Sequence, residues 1–472
     1  MHQLIKNISY SFLANLISLT VAVVMTLVVP KFISVYEYGI WQLFLFYFYY
    51  IGFFHFGWED GIYLRYAGQR FSDLNRNVLS GQFYGIIFSQ LLIAILLWVL
   101  APCFIQDSVK VRVIRYTALL IPFVNFNNLC NFIMQISNRI KDYAKLLLTE
   151  QIVFFVLVLV FLLVLNYKSF IYLYSAKVIS VACVTGLGVF LCNSILCASI
   201  PTLPAVLSEA KENISVGIKL MFANVAGMLI IGIVRYGISI GWDVGTFGKI
   251  SLTLNISNFL LVFINAIGVA FFPMLKQMDS RKLSALFSDI RTGLSMVLVA
   301  ALMVYYPLKA FLVWWLPHYA DSLIYMAILF PVCLFESRMQ LLCTTYLKSM
   351  RQEALLLKIN VISVVSSILI TMLSVVVFHN LTLAVVSILL LYAFRCLLAE
   401  YWLRKLLGCK TNRYVAMELA LVMLFTVTGW FVNSWVCTAI YMAGYMLYLY
   451  INRCDAEYFI CKIKQISKQN EI

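Results

Sequence analysis

Charge is what this chain has least of. Only 12% of its 472 residues are Asp, Glu, Lys or Arg, about half the share of an ordinary soluble domain. That excludes a water-soluble globular protein. Histidine is nearly absent: His2, His55, His318 and His379 lie far apart, so the sequence supports neither a Ser-His-Asp centre nor a histidine metal site. The twelve cysteines never form C-x-x-C and fall mostly inside apolar blocks. They read as small buried hydrophobes and not as a disulfide or redox framework. No G-x-x-x-x-G-K-[ST] loop is present, which excludes ATP hydrolysis by this chain. No polar connection exceeds about twenty residues, so a glycosyltransferase, ligase or polymerase with an extended outer loop is disfavoured. The chain reads as a non-enzyme with no cofactor.

What is there is apolar: 63% of the residues are hydrophobic and the mean hydropathy is +0.94. A bilayer core of about 30 Å needs roughly 20 apolar residues per helix. Fourteen segments meet this: 8–29, 38–57, 79–101, 113–134, 146–165, 170–192, 214–236, 250–271, 290–310, 321–343, 358–378, 381–401, 414–432 and 435–452. The first carries no small-residue cleavage pattern and reads as a retained span, not a signal peptide. Twelve spans is the alternative, because only Asn433 and Ser434 separate the last pair.

Lys and Arg number 35 against 20 acids, a net charge of +15. With the amino terminus in the cytoplasm, inside segments hold 23 bases; outside segments hold only Lys31, Lys110, Arg112, Lys168, Lys249 and Lys309. Cytoplasmic loops collect such residues, so both termini are expected inside, and the positive charge is topological and not a sign of nucleic-acid binding.

Six bases fall within spans: Arg115, Lys177, Lys219, Arg235, Arg338 and Arg395; Glu336 is the clearest interior acid. An Arg deep in a bilayer costs at least about 2.5–3.5 kcal/mol on insertion scales, so it usually faces a bundle interior. Near a surface a long stem can also snorkel. Asn15 shares a face with Ser11 and Ser18, and Asn224 shares one with Gly227, Ile231 and Arg235. Lys219 lies on the opposite side of that helix. Glu336 and Arg338 are two residues apart, a spacing that points them away from each other. A cavity lined by unpaired guanidinium groups calls for an anion, and the planar fork of Arg suits phosphate. The pair Glu59-Asp60 reads as a solvated loop turn ending at Gly61, with a catalytic or metal pair as the alternative.

Asn7-Ile8-Ser9 opens the first span and Asn213-Ile214-Ser215 the seventh. A shift of 209 places Ala14-Asn15 on Ala223-Asn224 and Tyr38-Gly39 on Phe247-Gly248. The expected architecture is therefore all-α and polytopic: two six-helix lobes related by a pseudo-twofold axis along the membrane normal, plus two further helices. The boundaries are 1–192 for the N-lobe, 193–213 for a cytoplasmic linker, 214–405 for the C-lobe, and 406–472 for the last two helices and a basic tail.

These motifs together resemble a known family. They are the striped first span ending Pro30-Lys31-Phe32, then Tyr36-Glu37-Tyr38-Gly39, and Phe56-Gly57-Trp58-Glu59-Asp60-Gly61 with Arg65 beyond. Arg235, Phe247-Gly248 and Phe272-Pro273-Met274-Leu275 follow. The chain resembles the Wzx-type oligosaccharide flippases of the multidrug/oligosaccharidyl-lipid/polysaccharide transporter superfamily. The resemblance implies translocation of an undecaprenyl-pyrophosphate-linked oligosaccharide across a bacterial cytoplasmic membrane, by alternating access through a cationic cavity and coupled to an ion gradient. It implies as partners the lipid-linked oligosaccharide, membrane lipids and the polysaccharide polymerase and ligase machinery, with the protein working as a monomer. Cavity candidates are Arg235, Asn224, Arg338, Arg115, Lys177, Lys219, Arg395, Asn15 and Arg65, with Glu336 for ion coupling. There are departures. Val234 stands before Arg235 where the family often has Asp. The first span lacks the Arg and Asp charges of lipid II flippases and the acid of many drug antiporters. A small-molecule or drug cation antiporter of the same superfamily is the alternative function.

Overall fold

A computed structural model of the chain describes residues 17, 20–259, 261, 275, 280–409, 415–432 and 434–453. Among these residues all regular structure is helical. Eight helices among the described residues are long and apolar enough to cross a membrane, and nine if the pair Pro317–Leu329 and Val332–Ser349, bent by 42°, counts as one. Shorter apolar helices run Thr20–Phe32, Val415–Phe431 and Val436–Ile451; Val35–Phe48 and Val244–Ser257 complete the order. Each of the fourteen expected spans overlaps one of these, and the long ones run past the expected ends.

Polar side chains mark where helices start. Asp107 opens Ser108–Ile136 by accepting from the Val109 and Lys110 amides, Asn75 opens Arg76–Phe104, and Asn380 opens Leu381–Leu407. Each satisfies amides that the first helical turn leaves without partners. Gly408, at φ +65°, closes Leu381–Leu407 in the left-handed conformation that glycine adopts without strain.

Burial is distributed for an apolar solvent. The helix Ser108–Ile136 has 67% of its most apolar stretch buried, so it forms the centre of its bundle. Arg76–Phe104 and Ile140–Val164 have only 17% and 11% buried. Their outer faces expose Leu92, Ile95, Leu96, Val99, Leu163 and Val164, a surface that suits lipid and would aggregate in water.

The chain divides into two compact units. The first holds the described residues up to Met228 together with Trp242–Gly248; the second holds Leu229–Gly241 and the described residues from Lys249 onward. In the expected linker 193–213, Asn193–Leu196 is a short helix, and from Leu203 a second helix runs on to Gly241. The last two helices are part of the second unit, where Tyr441 and Tyr448 are buried.

In the first unit, glycines allow backbone to touch backbone. The helix Trp58–Tyr66 follows a break at Phe56 and Gly57, both at positive φ. A Cβ on Gly57 would meet the Ile218 amide, one on Gly61 the Asn213 carbonyl, and one on Gly217 the Gly57 carbonyl. Gly39 and Gly248, matched by the shift of 209, also pack together: a Cβ on Gly248 would lie 2.6 Å from the Gly39 Cα.

Gly61→Val is therefore expected to destabilise the protein by at least about 3 kcal/mol. Gly186→Ala, where an added Cβ meets nothing within 4 Å, is expected to be neutral or to stabilise by up to about 1 kcal/mol. Thermal unfolding in detergent reads both. In the turn before Val244–Ser257, Asp243 accepts from the Thr246 hydroxyl and amide, and these bonds hold its carboxyl below the ordinary 3.8 against partial burial. A lowered folded value means a contribution that is complete above pH 3.8 and lost as pH falls through the folded value. Asp243→Ala should cost about 1 kcal/mol at neutral pH, and the difference from wild type should vanish in acid.

Candidate functional site

The interior bases do not share one environment. In the second unit, Arg291, Arg338, Glu400 and Glu418 are each no more than 2% exposed. They come from four helices: Ser280–Ala301, Val332–Arg338, Leu381–Leu407 and Val415–Phe431. Arg291 donates both terminal nitrogens to the two oxygens of Glu418, each at 2.7 Å. Arg338 donates Nη1 to Glu418 at 3.0 Å, and its Nε (2.7 Å) and Nη2 to Glu400. Arg404 joins at the other Glu400 oxygen, 3.1 Å away, and Tyr448 of Val436–Ile451 donates to Glu418. A carboxylate can accept four such bonds, and the Arg fork delivers them in pairs.

Beside this network, Arg395 reaches Glu336 at 3.3 Å and donates Nε to Asn360, while Gln340 donates to Glu336 at 2.7 Å. The expectation of unpaired guanidinium groups is thereby corrected for Arg338 and Arg395: both are neutralised by carboxylates. Glu336, the candidate for ion coupling, is the counter-ion of Arg395. It does not bond Arg338, as the spacing of two residues required.

Sequence reasoning missed Glu400, Glu418 and Arg291 because all three lie at the ends of expected spans, where a charge reads as a loop charge. One signal was present: Glu400 and Arg404 are four apart on one helix, the spacing of an ion pair.

In the first unit, Lys177 is buried and bonded to Glu150, with its ammonium 4.6 Å from the centre of the Phe48 ring. This too corrects an unpaired reading. Arg65 clamps Trp58–Tyr66 onto the long helix Leu203–Gly241: its two terminal nitrogens reach Glu209 (2.6 Å), Glu212 (2.9 Å) and Asn213. Arg115 lies over Trp98, 5.4 Å from the ring centre, and donates to that residue's carbonyl. Asn15 lies outside the described residues. On Leu203–Gly241, Lys219 and Asn224 are exposed. Arg235, on the stretch belonging to the second unit, is half-buried and donates to the Ser251 hydroxyl at 3.1 Å.

The pair Glu59-Asp60 is not a solvated turn. It forms the first turn of Trp58–Tyr66, with Glu59 0% and Asp60 9% exposed. His55 stands over both: its Nε2 is 3.9 Å from Glu59 and 3.8 Å from Asp60. Among the described residues no three of His, Cys, Asp and Glu are placed to hold one metal ion.

No protein-family model and no curated protein matches the sequence. Solved structures do match the fold. The inward-facing conformation of a multidrug-resistance MATE family transporter of the MOP superfamily superposes with a TM-score of 0.59 at 12% identity, over 84% of this chain and 98% of that one. The lipid II flippase MurJ in its inward closed conformation also gives 0.59 at 12% identity, over 96% and 99%. A MOP superfamily transporter from Pyrococcus furiosus gives 0.54 at 13% identity, over 85% and 96%. The chain has the fold of this superfamily.

The two kinds of base should respond differently to substitution. Removing one partner of a buried ion pair leaves an uncompensated charge, so Glu418→Ala is expected to cost about 3–5 kcal/mol of stability. Arg115→Ala should cost no more than about 1 kcal/mol. Thermal unfolding in detergent separates these outcomes.

Proposed function

We propose that this protein is a flippase for a lipid-linked oligosaccharide, not an enzyme. In this reading it turns an undecaprenyl-pyrophosphate-linked sugar chain from the inner to the outer leaflet of a bacterial cytoplasmic membrane by alternating access. The observation that carries the reading is the polar and basic character of Leu203–Gly241. On that helix Arg235 is half-buried and donates to the Ser251 hydroxyl at 3.1 Å. A phosphate oxygen is a better acceptor for a guanidinium than a hydroxyl is, so a pyrophosphate can take the place of Ser251. Arg291, Arg338, Arg395 and Lys177 are held by acids and serve the architecture.

The fold alone fits drug transport as well, since the multidrug and lipid II transporters superpose equally well. Charge favours the flippase. A cation antiporter needs acids facing its substrate, and Glu336, the candidate for that role, is engaged with Arg395 and Gln340.

In proteoliposomes carrying an undecaprenyl-pyrophosphate oligosaccharide, the wild-type protein is expected to bring the sugar to the opposite face. Arg235→Ala should slow this at least about tenfold, the equivalent of one lost charge-assisted hydrogen bond, with the folded protein intact. Equal rates for wild type and variant, or transport of organic cations in place of the lipid, would overturn the reading.

A further inference from the structure

The second unit shows how this protein treats a buried carboxylate that stays ionised: it surrounds it with guanidinium groups. Glu59 is treated in the opposite way. It is fully buried in the first unit, and neither carboxylate oxygen has a hydrogen-bond donor among the described residues. Apart from the His55 imidazole, no basic nitrogen of the described residues lies within 4.0 Å of it. An ionised carboxylate in such a place is strongly disfavoured, and a neutral carboxyl is not.

The groups around it are few. Asp60 follows it in the chain. His55 accepts the Gly57 amide at Nδ1 (3.0 Å), so its ring proton sits on Nε2, which faces both carboxyls. At 3.8–3.9 Å the imidazole is just outside hydrogen-bond reach of each. From the neighbouring helices the titratable group near Glu59 is the buried thiol of Cys130. On Leu203–Gly241, Glu209 and Glu212 are taken up by Arg65, further along Trp58–Tyr66, and Lys219 is exposed.

We propose that Glu59, with Asp60 and His55, is a proton-binding site that loads and releases one proton in the working cycle. In the loaded state Glu59 is a neutral carboxyl. On release its O–H bond breaks, the proton passes by way of Asp60, whose side chain keeps 12% of its surface open, to water, and the carboxylate draws the His55 Nε2–H into a hydrogen bond. The change has somewhere to go. Glu59 lies between Gly57 and Gly61, the two residues whose backbone rests directly on Gly217, Ile218 and Asn213 of Leu203–Gly241. The positive-φ break at Phe56 and Gly57 is where the chain can turn. Protonation at Glu59 thus acts on the contact that seats Leu203–Gly241.

The inference is independent of what is transported, and its test uses no substrate. The full-length protein in lipid is titrated between about pH 5 and pH 9 while its infrared difference spectrum is recorded. A protonated-carboxyl band is expected to disappear with rising pH, and one proton per chain to be released beyond those of the other titrating groups. Glu59→Gln, which mimics the loaded state and should fold, is expected to lose that band and that proton. Glu353→Gln, at an exposed site, should keep both. His55→Phe should retain the band and move its midpoint to higher pH, since the ionised form loses its hydrogen-bond donor. A band unchanged in Glu59→Gln overturns the proposal. Should Glu59→Gln fail to fold, a midpoint unmoved in His55→Phe overturns it equally.

Discussion

A guanidinium group buried in a membrane protein has to be met by an acid, and the second unit is arranged around that requirement. Glu400 and Glu418 between them accept from Arg291, Arg338 and Arg404. The five charges come from four helices, and a fifth helix contributes Tyr448. Replacing such a network by well-packed apolar residues often costs nothing, so its value here is better sought in geometry than in stability. Each Arg fork fits its carboxylate in one orientation, and that fixes the rotation and the height of every helix that contributes a charge. The apolar faces outside, which meet lipid, impose no comparable constraint, because one leucine in lipid is much like another. The same logic explains why Val415–Phe431 and Val436–Ile451 belong to the second unit: Glu418 and Tyr448 tie them into it.

Much of this architecture was legible in the sequence. Hydrophobic length alone locates the spans, because a bilayer sets one thickness for all of them, and every expected segment overlaps a helix among the described residues. The misreadings share one physical cause. Helices here run past the apolar stretch that identifies them, as Leu203–Gly241 and Leu381–Leu407 do. Charges near a span end therefore sit on ordered, packed helix where a hydropathy reading sees loop. Arg291, Glu400 and Glu418 lie within about a turn of the ends of expected spans, where a charge reads as belonging to the surface, and Glu59-Asp60 lies just beyond one, on a short helix of its own. Pairing itself was out of reach for a further reason. Arg338 and Glu418 are 80 residues apart, and only packing brings them together. For the candidate site the sequence picked out Arg235, Lys219 and Asn224 as polar groups on one helix. It could not separate them from Arg338, Arg395 and Lys177, whose acids lie on other helices.

Buried carboxylates in this protein fall into two classes, and the difference is the number of donors. Glu418 receives two nitrogens from Arg291 and one from Arg338. Glu59 has no donor within reach. Both residues sit at the start of a helix, where the backbone dipole favours a negative charge, so the dipole does not distinguish them. Packing does. Glu418 is held by long side chains that come to it from other helices. Glu59 is hemmed in by glycine: Gly57 and Gly61 bring the backbone of Leu203–Gly241 so close that no long basic side chain can be interposed on that side. The closeness that binds the two helices also withholds the counter-ion. A carboxyl so placed is stable when neutral and under stress when ionised, and that stress falls on a backbone contact with no side chains to absorb it. This is the arrangement by which a change of one proton can move a helix.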